Sequence, residues 1–266
     1  MKNVYDGTGK KEDRVKIIRS TSIGGYSWDT SDSTVNGGSG VSEWSQADLM
    51  KLLNPGYDSE SVGGSLYWNN KSGTCYSDDK NGTKSCNFTS TGIKDSLKNM
   101  IGNAVWNIGA STTDNQITSK WYTEERGTRN GKICTSGPYC TDTISRTTTW
   151  TGKLGLMYPS DYGYATSGGS TTDRATCLNT ALYNWSDSNV SDCKNNDWIY
   201  NISIQWTLTP YASTTSSDYV SVLFGEYIRG ISAGNDNDIR PSAYLKSSVK
   251  IISGDGSKTN PFVLSN

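Results

Sequence analysis

The chain contains no histidine among its 266 residues. Histidine is the most frequent general base in enzymes and a usual zinc ligand, so its absence excludes Ser-His and Cys-His catalytic arrangements and histidine-based metal sites. Enzymes that use carboxylates, lysine or tyrosine stay open. The missing histidine therefore lowers the expectation of catalysis without removing it.

Long apolar runs and concentrations of positive charge are missing as well. No apolar segment approaches the roughly 20 residues that a membrane-spanning helix needs, and Met1–Lys16 shows no secretory signal. The formal net charge is −1 and the basic residues are scattered, whereas nucleic-acid-binding proteins concentrate them on one face. We therefore expect no nucleic-acid partner and no membrane segment in this chain.

Aliphatic residues are scarce, and large aromatic residues take their place. Only 33% of the residues are hydrophobic, yet the chain has nine Trp and sixteen Tyr against three Phe. A disordered chain would lack such residues, and each large aromatic side chain buries roughly 150–250 Å². The composition indicates a folded protein of extracellular type, rich in Gly, Ser and Thr, with tryptophan in its core.

Six cysteines form three close pairs along the chain: Cys75 with Cys86, Cys134 with Cys140, and Cys177 with Cys193. Six cysteines allow about fifteen connectivities, so spacing alone does not establish the pairing. Each pair nevertheless brackets a polar, loop-like segment, and a disulfide that closes such a loop would contribute roughly 2–4 kcal/mol. Zinc is disfavoured because Cys-x-x-Cys motifs are missing. A reduced, cytosolic chain stays the alternative to three loop-closing disulfides.

Two segments have the apolar spacing of amphipathic helices. The first, Ser45–Leu53, begins with a capping-box-like pattern and ends at Asn54–Gly56. The second, Ile93–Ile108, is the strongest helical pattern in the chain, because its apolar residues recur along one face at a period of about 3.6. A further short helix is expected near Thr176–Trp185.

Short strands and long loops are expected elsewhere. The strand candidates are 14–19, Leu154–Tyr158, Gln205–Leu208, Tyr219–Phe224, Tyr227–Ile231, Arg240–Leu245 and Val249–Ile252, with a tight turn at Gly225–Glu226. Several loops exceed about 15 residues, which is uncommon unless the loops are functional. Since no repeat or linker divides the sequence, we expect residues 1–266 to form a single α+β domain.

Four segments carry a resemblance to a known family: Glu43–Gly56, Leu156–Ala165, Trp206–Pro210 and Ile239–Ser247. Together they resemble the C-terminal ectodomain of prepilin-like surface proteins of gut Firmicutes, from about Arg14 to Leu264. The resemblance implies a C-type-lectin-like fold with two helices, a small twisted and mostly antiparallel sheet, and long disulfide-stapled loops. It also implies an extracellular location, on the cell surface or pilus of a Gram-positive bacterium, with other pilin subunits as candidate partners.

In that family a diversity-generating retroelement often mutates a segment just before the Arg-Pro end of the domain. The resemblance therefore implies a variable ligand-binding segment at about 206–240, with diversified positions within roughly 211–237. The family's N-terminal pilin helix is not found in this chain, so pilus assembly is not carried over. The sugar-binding motifs of calcium lectins are also missing, and Asn195–Trp198 has the wrong residue order. Calcium-dependent sugar binding is therefore not carried over either.

The segment between Trp206 and Arg240 is polar and rich in tyrosine, a composition typical of binding paratopes. Alternation within its strand predicts an inward set of Val220, Val222 and Phe224 and an outward set of Tyr219, Ser221 and Leu223. The outward set is either part of a ligand face or an ordinary solvated strand, and the resemblance favours the ligand face. We expect ligand contacts from Tyr211, Ser217, Tyr219, Ser221, Leu223, Glu226, Tyr227, Arg229, Ser232, Asn235, Asp236 and Asn237.

Three neighbouring features have plainer interpretations. The run Asn235–Asp238 is typical of a turn whose side chains bond their own backbone, and a calcium ion held by its oxygen atoms stays the alternative, although the spacing of a calcium loop is missing. We interpret Arg240 as a buried arginine paired with a carboxylate. We interpret Trp198 and Trp206 as core residues rather than platforms for a sugar.

The sequence thus favours a binding protein that recognises a protein or glycan ligand through its variable segment and performs no catalysis. A structural pilin-like subunit without a dedicated ligand is the first alternative. A glycan-active enzyme is the second, because Asp161, Asp173 and Asp197 would offer the carboxylate pair that glycoside hydrolysis needs. The spacing of these aspartates singles out no pair, and we expect no catalytic residue, metal ligand or cofactor.

Overall fold

The structure is a computed structural model that describes residues 3–30, 38–128, 146–212, 217–257 and 259–265. These ranges contain six short α-helices: α1 (Asp48–Leu53), α2 (Asp95–Met100), α3 (Thr118–Glu125), α4 (Pro159–Ala165), α5 (Arg174–Asn179) and α6 (Ser191–Asn195). Two 3-10 helices, Leu182–Ser186 and Ser188–Val190, lie between α5 and α6. None of the helices in the described ranges combines the length and apolar character needed to cross a membrane.

Sixteen strands form six small sheets within the described residues. They are β1 (Val4–Tyr5), β2 (Lys11–Glu12), β3 (Lys16–Ile18), β4 (Gly25–Tyr26), β5 (Ser72–Tyr76), β6 (Thr83–Asn87), β7 (Ala104–Asn107), β8 (Thr149–Gly152), β9 (Leu154–Gly155), β10 (Ile204–Pro210), β11 (Tyr219–Phe224), β12 (Tyr227–Ser232), β13 (Asn237–Asp238), β14 (Ser242–Tyr244), β15 (Lys250–Ser253) and β16 (Val263–Ser265). These strands pair antiparallel, except that β10 and β13 run parallel. The predicted α+β class with small, mainly antiparallel sheets is confirmed.

The largest sheet has the strand order β12-β11-β10-β13-β4, and its strand β11 is buried from Val220 to Leu223. Val220 and Val222 belong to one hydrophobic core, whereas Leu223 belongs to a second core. Because neighbouring side chains of a strand point to opposite faces, the two cores lie on opposite sides of β11. The second core draws its side chains from the helical part of the chain, including Trp121 of α3 and Tyr162 of α4.

Tryptophan supplies much of the interior. The six fully buried tryptophans in the described residues are Trp28, Trp44, Trp106, Trp121, Trp185 and Trp206. Trp28 and Trp44 pack with their ring centroids 5.3 Å apart, beside the apolar face of α1. The interpretation of Trp206 as a core residue is confirmed, but that of Trp198 is wrong, because 68% of its surface is exposed.

Arg240 is buried, as interpreted from the sequence, with 5% of its surface exposed. Its guanidinium donates to backbone carbonyls, with Nη1 2.7 Å from Ile199 O and Nε 2.8 Å from Arg19 O. The carboxylate nearby is Asp197, which opposes the lowering of the Arg240 pKa by burial. Arg240 therefore holds the segment before β10 against the segment after β3.

The strongest helical pattern in the sequence is only partly helical in the structure. Residues Asp95–Met100 form α2, but Ala104–Asn107 form β7, which pairs with β8. The prediction of a helix to Ile108 is wrong, because Gly102 interrupts it and Ala104, Trp106 and Ile108 are buried in strand alternation. The expected short helix near Thr176–Trp185 is found as α5 and the 3-10 helix Leu182–Ser186. The described residues hold six short α-helices, more than the two that the family resemblance implies.

Two of the three expected disulfides are confirmed. Cys75 and Cys86 join β5 to β6, and Cys177 and Cys193 join α5 to α6. The pair Cys134 and Cys140 lies outside the described residues. Both confirmed disulfides close short loops, with sequence separations of 11 and 16 residues.

Candidate ligand-binding cleft

A cleft of about 330 Å³ opens beside β12, the end strand of the five-stranded sheet. Its lining, which we call the tyrosine cleft, consists of Asp114, Tyr183, Tyr211, Tyr219, Tyr227, Arg229 and Gly230. These residues come from three stretches that are distant in the sequence. Strand pairing and helix packing bring them together.

Tyr211 and Tyr219 form one wall of the tyrosine cleft. The backbone N–H of Tyr211, just after β10, donates to the carbonyl of Tyr219 at 2.9 Å, and the two ring centroids lie 6.4 Å apart. A bridge between Ser111 and Tyr211 places the loop that carries Asp114 next to this wall. The wall is therefore held by backbone hydrogen bonds rather than by the tyrosine side chains.

Tyr183 and Tyr227 form the opposite wall. Tyr183 belongs to the 3-10 helix Leu182–Ser186, whose neighbours Leu182 and Trp185 are buried in the second core together with Ile228 of β12. The rings of Tyr183 and Tyr227 meet edge to face, with their centroids 5.3 Å apart and their planes at 71°. Tyr183 keeps 45% of its surface exposed, so the pair presents ordered aromatic surface to solvent.

Arg229 and Asp114 place opposite charges in the same cleft. The Arg229 guanidinium lies 4.7 Å from the ring centroid of Phe224, which limits its freedom. Partial burial raises the pKa of the Asp114 carboxyl, and the positive charge of Arg229 opposes that shift. Burial, followed by the charge of Asp114, also raises the pKa of Tyr211. The cleft therefore offers hydroxyl groups, one cation and one acid to a ligand.

Four residues that the sequence predicts for ligand contact line this cleft: Tyr211, Tyr219, Tyr227 and Arg229. Sequence analysis missed Asp114 and Tyr183, which lie 97 and 28 residues before Tyr211 in the chain. No local pattern marks either residue. Only the bridge at Ser111 and the packing of Leu182–Ser186 bring them to the cleft.

The prediction of an outward set on β11 is wrong for two of its three members. Ser221 and Leu223 are fully buried, and Leu223 belongs to the second core. The helices of residues 157–199 cover the face that a simple alternation leaves to solvent. Ser217 and Asn237, also predicted to contact ligand, are 2% and 6% exposed. All four residues are therefore buried, and none of them lines the tyrosine cleft.

The remaining predicted contacts lie outside the lining of the tyrosine cleft. Glu226 pairs with Lys194 of α6 at 2.5 Å, and Ser232 is paired with Tyr219 across the two strands. Asn235 is exposed and donates to the carbonyl of Ser232 at 3.1 Å. Asn235 is thus a turn residue, but the interpretation of the whole run Asn235–Asp238 as a turn is wrong at Asn237–Asp238, which form β13.

Asp236 fastens this turn to the β5–β6 hairpin. Its carboxylate accepts from Ser77 Oγ at 2.7 Å and from the backbone N–H of Asp78 at 3.1 Å, and it pairs with the Lys84 ammonium. Within the described residues, no group of three or more Asp, Glu, Cys or His side chains is arranged to hold a metal ion. The carboxylate of Asp236 is thus bonded by groups of the β5–β6 hairpin and its turn.

The three aspartates considered for glycoside hydrolysis have separate structural partners. Asp161 pairs with the Lys16 ammonium and accepts from the backbone N–H of Tyr158. Asp173 caps α5 by accepting from Thr176 N at 2.7 Å, which lowers its pKa. Burial raises the pKa of Asp197 to about 7. Each carboxylate is used by its own element of the fold.

Comparison of the chain with models of protein families, with curated proteins and with solved structures returned no match. The argument for function therefore depends on the geometry of the tyrosine cleft together with the sequence.

Proposed function

We propose that this chain is a ligand-binding protein that recognises a protein or glycan ligand through the tyrosine cleft. The observation that carries the proposal is the meeting of Tyr183, Tyr211, Tyr219, Tyr227 and Arg229 in one cleft beside β12. Four of these five residues belong to the polar segment for which the sequence predicts ligand binding. No bond is made or broken in this function.

The physical chemistry of the lining suits recognition. Tyrosine provides large contact area and a hydroxyl group at low entropic cost, and tyrosine and arginine dominate the binding energy of many interfaces. The tyrosines are positioned by strands and by a 3-10 helix that packs on a buried core. Because the surface is preorganised, little of the binding energy is lost in ordering it.

The setting of this function follows from the chemistry of the fold and from the family resemblance. The two confirmed disulfides indicate an oxidising, extracellular environment. We further propose a C-type-lectin-like domain displayed on the surface or pilus of a Gram-positive bacterium, with residues diversified by a retroelement. The meeting of three half-buried tyrosines of the polar segment in one cleft supports this view.

Replacement of the lining tests the proposal directly. A variant with Tyr219→Ala, Tyr227→Ala and Arg229→Ala should lose binding on an array of glycans and in a display library of protein domains. Its melting temperature should stay close to that of the parent, because the three side chains are half-exposed. A variant with Tyr5→Ala and Tyr122→Ala is a matched control, since both residues are exposed and neither lines the cleft. Equal binding by both variants would refute the proposal.

Nearby DNA provides a second test. If a retroelement diversifies the segment, a near-copy template repeat should differ from the coding sequence at adenines alone. On this proposal such differences should fall at codons for cleft residues such as Tyr219 and Tyr227. They should spare the codons for the buried Ser221 and Leu223. A uniform spread of substitutions would instead favour a structural pilin-like subunit.

A further inference from the structure

A second cavity, of about 210 Å³, lies on one face of the three-stranded sheet β3-β14-β9. It is lined by Lys16, Ile17, Ile18, Met157, Asp161, Tyr164, Ala165, Trp198, Ile199 and Ser242. None of these residues lines the tyrosine cleft. The cavity therefore stands apart from the site of the proposed function, and its argument does not depend on that function.

Trp198 lines this cavity and is the exception among the tryptophans. Six others are fully buried, whereas Trp198 exposes 68% of its surface. The backbone on either side of it is fixed, because Asp197 Oδ1 accepts from Ile199 N at 2.7 Å and from Tyr200 N at 3.1 Å. The ordered turn therefore presents a large, exposed aromatic face at this cavity.

Lys16 and Asp161 place a donor and an acceptor side by side in the same cavity. The Lys16 ammonium bonds the Asp161 carboxylate, and both side chains are largely buried, with 11% and 22% of their surfaces exposed. The ammonium also lies 4.1 Å from the ring centroid of Tyr158. The N–H of Tyr158 donates to the same carboxylate at 2.8 Å, so the pair has a fixed position at the start of α4.

Ser242 adds an unused polar group. The residue is 1% exposed, and its hydroxyl has no hydrogen-bond partner among the described residues. Ser242 lies on β14 opposite Ile18 of β3, and both residues line the cavity. Buried hydroxyl groups nearly always have a partner, so the Ser242 hydroxyl leaves one hydrogen-bonding group at the cavity open to a ligand or a water molecule.

We propose that this cavity binds one neutral pyranose ring, such as the end of a glycan, with the ring stacked on Trp198 and its hydroxyl groups on Lys16 and Asp161. The C–H face of a pyranose is apolar and packs on an indole. Neighbouring hydroxyl groups of the ring accept from the ammonium and donate to the carboxylate. The cavity thus matches both the apolar face and the polar edge of the ring.

Charge and size select this class of ligand over others. The Lys16–Asp161 pair is neutral as a whole, so it offers no net electrostatic attraction to a phosphate, a carboxylate or an amine. The cavity volume of about 210 Å³ is below the roughly 300–1,000 Å³ of pockets for drug-sized ligands. One ring fits, and the rest of a glycan would extend into solvent past Trp198.

Saturation-transfer NMR with the methyl glycosides of glucose, galactose, mannose and N-acetylglucosamine tests the proposal. At least one glycoside should bind the full chain with millimolar affinity. Trp198→Ala should weaken that binding by about tenfold, as expected for loss of one aromatic stacking contact, and Trp198→Phe should restore part of it. Ile202→Ala is the matched control, because Ile202 is 83% exposed and is not part of the cavity lining.

The outcomes separate this site from the tyrosine cleft. Tyr219→Ala should leave unchanged the part of the glycoside response that Trp198→Ala removes, because Tyr219 is not part of this cavity's lining. If none of the four glycosides binds, or if Trp198→Ala binds as well as the parent, the proposal is wrong. A stronger, Trp198-dependent response to N-acetyltyrosine amide than to every glycoside would also overturn it, since the cavity would then take an aromatic side chain.

Discussion

Gly230 of β12 touches the ring of Tyr211 so closely that a β-carbon at position 230 would lie 2.8 Å from Tyr211 Cδ1. Real β-carbons do not approach a neighbour so closely without movement. The missing side chain thus allows the Tyr211 ring to pack closely against β12 and to complete the wall that it forms with Tyr219.

Gly230→Ala should therefore displace the Tyr211 ring and weaken ligand binding by about tenfold, which corresponds to roughly 1.4 kcal/mol. Melting should change little, because the ring lies at the surface of the cleft. The measurement is affinity together with the NMR shifts of the Tyr211 ring. Ser232→Ala, on the same strand but outside the cleft lining, is the control. Unchanged Tyr211 shifts in Gly230→Ala would contradict the close contact.

Asp236→Ala should destabilise the protein without changing its affinity for the ligand. The substitution removes the acceptor of Ser77 Oγ, of Asp78 N and of the Lys84 ammonium, so the free energy of unfolding should fall by about 1–2 kcal/mol. Asn235→Ala, one residue earlier and exposed, should stay within about 0.5 kcal/mol. Chemical denaturation measures both. If a fully folded Asp236→Ala variant loses ligand binding, Asp236 contacts the ligand and this prediction is wrong.

Asp197→Asn should flatten the pH dependence of stability. Burial raises the pKa of Asp197 to about 7 in the folded protein, against about 3.9 in the unfolded chain. Between these values the folded state binds more protons, so this residue's contribution to stability is complete below about pH 4 and is lost as pH rises through about 7. Asparagine keeps the Oδ1 acceptor for Ile199 N and Tyr200 N and avoids the buried charge.

The variant should thus be more stable than the parent at about pH 8, by on the order of 1–3 kcal/mol, with a smaller difference at about pH 5. Urea titrations at both pH values measure this. Burial also raises the pKa values of Glu125 and Asp29 to about 7. The stability of the Asp197→Asn variant should therefore still depend on pH, but less steeply. Asp173→Asn is a control of opposite sign, because hydrogen bonds from Thr176 lower the Asp173 pKa. Equal slopes for Asp197→Asn and the parent would contradict the assignment.

The two described disulfides should differ in their effect on binding. Replacing either pair by serine should lower the free energy of unfolding by roughly 2–4 kcal/mol. Tyr183 lies inside the loop that Cys177 and Cys193 close, so loss of that pair should also weaken binding in the tyrosine cleft. Loss of Cys75–Cys86 should leave affinity unchanged while the protein stays folded. Equal affinities of the two folded variants would show that the Cys177–Cys193 loop does not position Tyr183.

Local patterns predicted those parts of the fold that depend on neighbours in sequence. The alternation of Val220 and Val222 and the turn at Gly225 are found as β11, a turn and β12. The helix after Ser45 is found as α1. Tyr219 and Tyr227 were named from composition and resemblance, and the antiparallel pairing of β11 with β12 places them on neighbouring strands.

What depends on distant contacts was not predictable from local patterns. Ala104, Trp106 and Ile108 fit both a helical period and strand alternation, and the pairing of β7 with β8, more than forty residues later, decides for the strand. Ser221 and Leu223 are buried because helices from residues 157–199 cover them. Asp114 and Tyr183 reach the tyrosine cleft through the same kind of long-range packing.

The uneven burial of tryptophan has an optical consequence. Trp198 is the exposed one among nine tryptophans, all of which lie in the described ranges. A dissolved iodide ion can collide with its indole but not with the six enclosed ones, so the fluorescence that iodide removes comes mainly from this side chain. A ligand in the second cavity should shield Trp198 from iodide, so the loss of iodide quenching would report occupancy of the cavity without an attached label.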